Sequence, residues 1–398
     1  MPRMPKVTII GAGSVEFTKN VLSDILAFPD LEPVTVALHD IDEGRLTTAG
    51  AIAGYVNVAT GGRAKIETHL DRRAALDSAD YAINEIQVGG RDSFAIDFQI
   101  PSRYGVRQTI ADTIGIGGIS RGLRTLPVMI DIGNDMADVC PDGTLLNYTN
   151  PMAMVPWAVY EGSRFDRVVG LCHAVRDTHA FLAETVRVPE REIAFQTSGF
   201  NHQAFVTRFE RGSENLYPLL DAAIDRDPEG LGRRVRVELY RQLGYFPTES
   251  SEHSSEYVPW FMRHDDMIER YRIPVDEYLG RTVESMAEYR ETVRALEAGE
   301  AVGIEATSQL ASEVIHAMET GVPRSIYANV KNTGLIPDLP DGCCVEVPCL
   351  VDKAGVQPTA VPARPAQLAA MNRTFLNVVE LTVQIGRASC RERVYGLV

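Results

Sequence analysis

The stretch that most constrains the fold is KVTIIGAGS (6–14), an apolar β-branched run passing through Gly11 and Gly13 into a helical pattern over 15–28. Such a run reads as a strand buried on both faces, the usual state in a parallel sheet. Glycines directly after it permit a tight turn and a close approach of backbone to a ligand at the next helix N-terminus. The rhythm then repeats. PVTVALHD (33–40) is a second strand and RLTTAGAIAGYVNVAT (45–60) a second helix. KIETHL (65–70), DYAINEIQV (80–88), GTLLNYTNP (143–151) and RVVGLCH (167–173) supply further strands. Strands alternating with helices predict an α/β chain with a Rossmann-like doubly wound sheet.

After about residue 195 the alternation stops. REIAFQTSGFNHQAFVTRFE (191–210) reads as paired strands, followed by helices and loops to about 320. RSIYANVKN (324–332) and CCVEVPCLVD (343–352) read as strands, and PAQLAAMNRTFLNVVELTV (365–383) as a closing helix. A chain of 398 residues exceeds one ordinary core. The expected division is a nucleotide-binding domain over 1–195 and a mixed α+β domain over 196–384, serving substrate, metal and oligomerisation. The segment IGRASCRERV (385–394) breaks the apolar helical pattern and matches what a common short-read sequencing adapter encodes in one frame. Residues 385–398 are therefore expected to be an artefact rather than native sequence.

The turn at Gly11, Gly13 and Ser14 fits a pyrophosphate seated on a helix N-terminus, although Glu16 stands where a third glycine is common. Asp40 ends the second strand, where a carboxylate accepts from the adenosine ribose hydroxyls and disfavours a 2′-phosphate. NAD is thus the expected dinucleotide. Asp40 also suits a helix N-cap. Acidic residues number 54 against 39 basic, a net charge of -15, which argues against nucleic acid or an anionic membrane as partner. No run is long enough to span a bilayer and no apolar signal core precedes the first strand, so cytoplasm is expected. The six cysteines, at 140, 172, 343, 344, 349 and 390, form neither CxxC pairs nor a disulfide framework.

Polar residues gather where strands should end: ADTIGIGG (111–118), NYTNP (147–151), GLCH (170–173), GFNHQAF (199–205) and ESSEHSSEYVPWF (249–261). Ligands of open α/β sheets sit outside those strand ends. With GAGS, DTIGIGG, TNP, GLCH, GFNH, SEHSSEY and VEVPCLVD in this order, the chain resembles the NAD- and metal-dependent glycosidases of glycoside hydrolase family 4. The resemblance extends to about Val383. The Cys-His pair is similar to the α-galactosidase branch; the 6-phosphoglycosidase branch typically has Asp after the cysteine.

That resemblance implies a route unlike the two-carboxylate scheme of most glycosidases. NAD⁺ oxidises sugar C3, a metal-assisted base removes the C2 proton, the C1–O bond breaks by elimination, water adds, and the oxidation reverses. It implies Cys172 and His202 as ligands of Mn²⁺ or another divalent metal, Tyr257 as the C2 base, and Asp112 as the group that raises its basicity. It further implies Asn150 at the sugar hydroxyls and nicotinamide ribose, Arg91 at the substrate, and His173 near the leaving group or metal. Read without it, Cys172 is a buried apolar cysteine, His202 a core histidine and Tyr257 an aromatic packed beside Trp260. Likewise, Asp112 and Asn150 become turn residues and Arg91 a loop arginine.

The expected substrate is a small oligosaccharide or glycoside, foremost an α-galactoside, with an α-glucoside or an α-linked uronic acid as alternatives. The expected assembly is a homodimer or larger homo-oligomer. Two other classes share the nucleotide end: a 2-hydroxy-acid dehydrogenase, which needs no metal pair, and an NAD-sensing regulator, which turns over no glycoside.

Overall fold

The computed structural model describes residues 4–31, 33–304 and 307–394, with side chains up to Ser389. Cys390 therefore lies outside the described side chains.

Among the described residues, twelve strands form one sheet. They are β1 Lys6–Ile10, β2 Thr35–His39, β3 Lys65–His69, β4 Tyr81–Asn84, β5 Thr144–Asn147, β6 Val168–Gly170, β7 Ala194–Phe200, β8 Gln203–Arg211, β9 Glu214–Asn215, β10 Arg324–Lys331, β11 Cys344–Asp352 and β12 Gly355–Pro358. The order is β3-β2-β1-β4-β5-β6-β10-β11-β7-β8-β9, with β12 on β11. The first six strands pair in parallel, in the doubly wound order. The sheet then continues through antiparallel pairs into the second half. The boundary drawn at residue 195 falls inside β7, so it marks a change of strand direction and not a break in the sheet.

The local reasons are plain in the sequence. Val7–Ile10 in β1 are wholly buried, and the helix Val15–Leu26 lays Val21, Leu22 and Ile25 on the sheet. Asp42, not Asp40, caps the helix Glu43–Thr60 by accepting from the Arg45 N–H at 2.9 Å. The strand read over DYAINEIQV is shorter than expected and ends at Asn84, before the half-buried Glu85 side chain. The closing helix, Ala366–Val394, runs unbroken through the segment expected to interrupt it. Its Phe375, Leu376, Val379 and Val383 share one core with Leu126, Met129 and Ile130 of the helix Gly115–Val139 and with strands from both halves.

The sheet crosses from its parallel to its antiparallel part through thin pairings. β6 and β10 are joined through one register pair, Gly170 with Asn329, and β11 and β7 through another, Glu346 with Gly199. A Cβ at Gly170 would lie 2.6 Å from Met152 Sδ and 2.8 Å from Asn329 Cβ. Overpacking of this kind costs typically ~1–3 kcal/mol. Gly170→Ala should therefore lower the urea midpoint of unfolding with little change in m-value, whereas an unchanged midpoint would mean that this crossing is loosely packed.

Candidate active site

Side chains from both halves converge beyond the ends of β1, β4, β5, β6 and β7. At the nucleotide end, Gly11 has φ +91°, and a Cβ there would meet the Ile86 backbone N at 3.0 Å. Only glycine fits that turn without strain. The Asp40 carboxylate accepts from Gly13 N–H at 2.8 Å and Asp42 N–H at 2.9 Å, which holds the glycine turn against the second strand. Ser14 is exposed at the N-terminus of the next helix. Glu85, beside this turn, is driven well above the usual carboxylate range by burial; one oxygen accepts from Thr18 and the other, buried, has no partner among the described residues.

The polar centre lies farther along the strand ends. β7 and β8 are joined by Asn201 and His202, a two-residue hairpin loop in which His202 has φ +66°. A left-handed non-glycine residue carries a cost on the order of 1 kcal/mol and tends to mark a functional position. His202 Nε2 lies 3.3 Å from Cys172 Sγ, just past β6, and 3.1 Å from Glu249 Oε2. His202, Glu249 and His253 are close enough to hold one cation between them. His253 Nδ1 is 3.9 Å from Glu249, and its Nε2 is 3.7 Å from Asp112 and 3.8 Å from Glu256.

Charge shapes this cluster. Burial, the largest influence on His202, depresses its pKa but is outweighed by Glu249, Cys172 and Asp112, which leave it at about 10. A site that binds a proton this firmly is an anionic site, and the same field favours a metal cation. The donors fit one: a sulfur, an imidazole nitrogen and a carboxylate, as catalytic metal sites use. Burial raises Asp112 and Glu249, yet neighbouring charges win and both sit below their ordinary values: Arg121, His253 and His202 for Asp112, His202 and His253 for Glu249. His253, lowered to about 4 by burial and then by His202, is neutral at pH 7.

Tyr257 stands against this cluster. Its ring is 5.4 Å from His253 and 5.0 Å from Phe375, so it packs there and not beside Trp260. Its buried hydroxyl has no hydrogen-bond partner among the described residues. Burial, followed by the Glu249, Asp112 and Glu256 carboxylates, puts its pKa well above the usual value. Thr113 opposes this weakly, its own hydroxyl being committed to Asp112 at 2.8 Å. Asp112 makes no hydrogen bond to Tyr257; it also accepts from Asn150 Nδ2 at 2.8 Å, and His253 lies next to both.

The structure thus brings together Cys172, His202, Tyr257, Asp112 and Asn150. It does not join His173 or Arg91 to them. The His173 ring stacks on Tyr148 at 6.1 Å with its buried Nε2 unpartnered, and Arg91 is exposed at the start of the helix Gly90–Arg103. Glu249 and His253 escaped assignment from sequence, because Glu249 precedes the short helix Ser251–Ser254 that carries His253.

A dinucleotide-type sheet whose strand ends carry a thiol, an imidazole and carboxylates defines a nucleotide-fold enzyme with a cation-accepting centre. The comparisons narrow this class. "Family 4 glycosyl hydrolase" matches residues 6–188 and "Family 4 glycosyl hydrolase C-terminal domain" residues 197–396. The chain is 39% identical over 396 residues to an alpha-galactosidase of Bacillus subtilis (strain 168), covering 98% of this chain and 91% of that one. It is 36% identical over 391 residues to an alpha-galactosidase of Rhizobium meliloti (strain 1021), covering 95% and 80%. In fold it is similar to a 6-phospho-alpha-glucosidase from gut microorganisms in complex with NAD and Mn²⁺, with TM-score 0.81, 20% identity and coverage of 96% and 90%. The chain belongs to family 4 of the glycosyl hydrolases. It is a glycoside hydrolase, which sets aside the dehydrogenase and the NAD-sensing regulator.

Glu256 offers a test of these electrostatics. Burial raises its pKa to about 7, although one oxygen accepts the N–H groups of Thr109, Ile110 and Ala111. A folded pKa raised above the unfolded one gives stability that is full below the unfolded value and lost as pH rises through the folded one. For Glu256 that window runs from about 4.5 to 7, and integrates to at most about 3 kcal/mol. Cation-free wild type should lose stability relative to Glu256→Gln between pH 5 and 8 in urea titrations. Parallel pH profiles would contradict the assigned environment.

Proposed function

We propose that the protein hydrolyses an α-glycoside, foremost an α-galactoside, with NAD and a divalent cation such as Mn²⁺ as cofactors. The observation that carries this reading is the cluster of Cys172, His202 and Glu249 with Tyr257 beside it, in a chain most similar to alpha-galactosidases among the relatives named above. An α-glucoside and an α-linked uronic acid stay as alternatives, distinguished by a panel of p-nitrophenyl α- and β-glycosides.

Gly11 and Gly13 let the backbone approach the dinucleotide pyrophosphate, while Asp40, with acceptor capacity left after two N–H bonds, receives a ribose hydroxyl. His202, Glu249 and His253 are within ligand distance of one another and would hold the cation, with Cys172 beside His202 as its sulfur donor. When bound, these groups supply reversible hydride acceptance at sugar C3 and acidify the C2 hydrogen. Tyr257 takes that hydrogen on its phenolic oxygen. Its high proton affinity makes it a strong base once deprotonated, and neutral His253, its ring 5.4 Å from that of Tyr257 and its Nε2 3.7 Å from Asp112 and 3.8 Å from Glu256, would carry the phenolic proton away. Asn150, anchored to Asp112, is assigned the contact to the sugar hydroxyls and nicotinamide ribose that the family resemblance implies. Arg91 and His173 retain the substrate roles implied by the family resemblance, which requires them to approach the centre on substrate binding.

The cytoplasm suits the five described cysteines, all free thiols, one of them in the cluster. Among the described residues no helix is long and apolar enough to cross a membrane. A homo-oligomer suits the exposed stripe of Ile96 (48%), Ile100 (48%) and Tyr104 (82%). Sedimentation equilibrium reads the assembly, and a monomer at micromolar concentration rejects it.

Hydrolysis should need both NAD⁺ and the cation, with EDTA abolishing it; full activity of the stripped protein contradicts the reading. Tyr257→Phe should keep NAD binding and lose turnover by roughly 10²–10⁴-fold, the scale of a positioned general base. Wild-type product made in D₂O should carry deuterium at C2 by NMR. Proton retained at C2 would exclude the elimination route.

A further inference from the structure

Beside the cluster lies a cleft of about 360 Å³, lined by Phe181, Arg234, Arg236, Ser250, Ser251 and Glu252 above the loop 227–231. Small-molecule pockets span roughly 300–1,000 Å³. The Arg236 guanidinium lies over the Phe181 ring, 3.7 Å from its centroid, with Phe246 at 5.3 Å. It has no hydrogen bond or ion pair among the described residues. A stacked arginine without an acceptor presents a rigid, planar set of N–H donors to whatever enters. Ser251 is only 7% exposed, and its hydroxyl is likewise without a partner.

The charges around these donors are nearly balanced. Glu252 Oε1 lies 3.5 Å from Arg234 Nη1, a loose pair, while Asp227 commits its two oxygens to the N–H groups of Gly230 and Leu231 at 2.9 Å each. A cleft with free donors, a loosely held carboxylate and an aromatic wall suits a neutral polyol better than an anion. It is also tied to the reaction centre through the backbone at Ser250. Ser250 donates its N–H to Glu249 Oε1 at 2.7 Å and accepts from His253 N–H at 3.2 Å, so one residue separates cleft from cluster.

A sugar held at C2 and C3 by that cluster and Tyr257 must project its C1 substituent away from them. Resting on the glycosidase reading above, we propose that this cleft is the leaving-group subsite, taking a second sugar ring whose neighbouring hydroxyls bind Arg236 and Ser251. Both are specificity-determining contacts and leave the chemistry at C1–C3 untouched.

The test compares kcat/KM of the NAD⁺- and Mn²⁺-loaded enzyme on an α-galactosyl-hexose disaccharide and on p-nitrophenyl α-galactoside, with the glycone changed if the panel selects another sugar. Arg236→Gln should lower the disaccharide value roughly 10- to 100-fold, the scale of a lost hydrogen bond to a charged group, and leave the aryl glycoside within about twofold. Ser251→Ala, whose hydroxyl supports nothing internally, should show the same selectivity at about fivefold, which guards against misfolding of the arginine variant. Inhibition by the free hexose product should weaken in both variants. Equal losses on both substrates, or no loss on the disaccharide, overturn the subsite while the glycosidase reading stands. A wild type that cleaves neither substrate nor any glycoside in the panel overturns that reading, and this inference with it.

Discussion

One buried polar row holds the molecule together where its chemistry occurs. Gly170, Asn329, Glu346 and Gly199 stand in register across β6, β10, β11 and β7. Glu346 Oε1 accepts from Asn201 Nδ2 at 3.2 Å and from Asn329 Nδ2 at 3.3 Å, and Asn329 Nδ2 also reaches the Gly170 carbonyl at 3.4 Å. Burial raises the Glu346 pKa, and a buried carboxyl group is tolerated only with such partners. Cys172 follows this row by two residues on one side and His202 by three on the other. The separation of thiol and imidazole is therefore set by strand pairing and not by mobile loops, which is how a site holds its geometry before any ligand arrives.

The electrostatics extend that argument. Four carboxyl groups, those of Asp112, Glu249, Glu256 and Glu346, surround two histidines at the centre. Their environments divide them: Asp112 and Glu249 are stabilised as anions, while burial favours the neutral forms of Glu256 and Glu346. Similar groups thus acquire different tasks from their surroundings, two attracting positive charge and two supporting structure through hydrogen bonds.

What was legible in the sequence follows from how local each cause is. The glycine turn, Asp40 and the six parallel strands are written in short apolar runs, so their placement needed no distant contact. Cys172 and His202 became readable as a pair only through family resemblance, since 30 positions separate them and the hairpin conformation of His202 leaves no periodic trace. The continuation of the sheet from β6 into β10 was not legible at all, because it rests on a single register pair between residues 170 and 329. Glu249 and His253 lie in a segment with only one short helical turn, Ser251–Ser254, too brief to show amphipathic spacing. The capping role expected as an alternative for Asp40 went instead to Asp42, two residues on, while Asp40 braces the glycine turn.

The closing helix has a consequence for the order in which the protein is made. Leu126 and its neighbours on the helix Gly115–Val139 are covered by residues 375–386, and a Cβ at Gly386 would lie 3.0 Å from Leu126 Cβ and Cδ1. Those covering residues leave the ribosome some 250 positions after the surface they protect. During synthesis, the nucleotide half can form its parallel strands early, yet one apolar flank waits, wet, for the closing helix. The nascent chain thus passes through an interval in which that flank is available to chaperones or to aggregation.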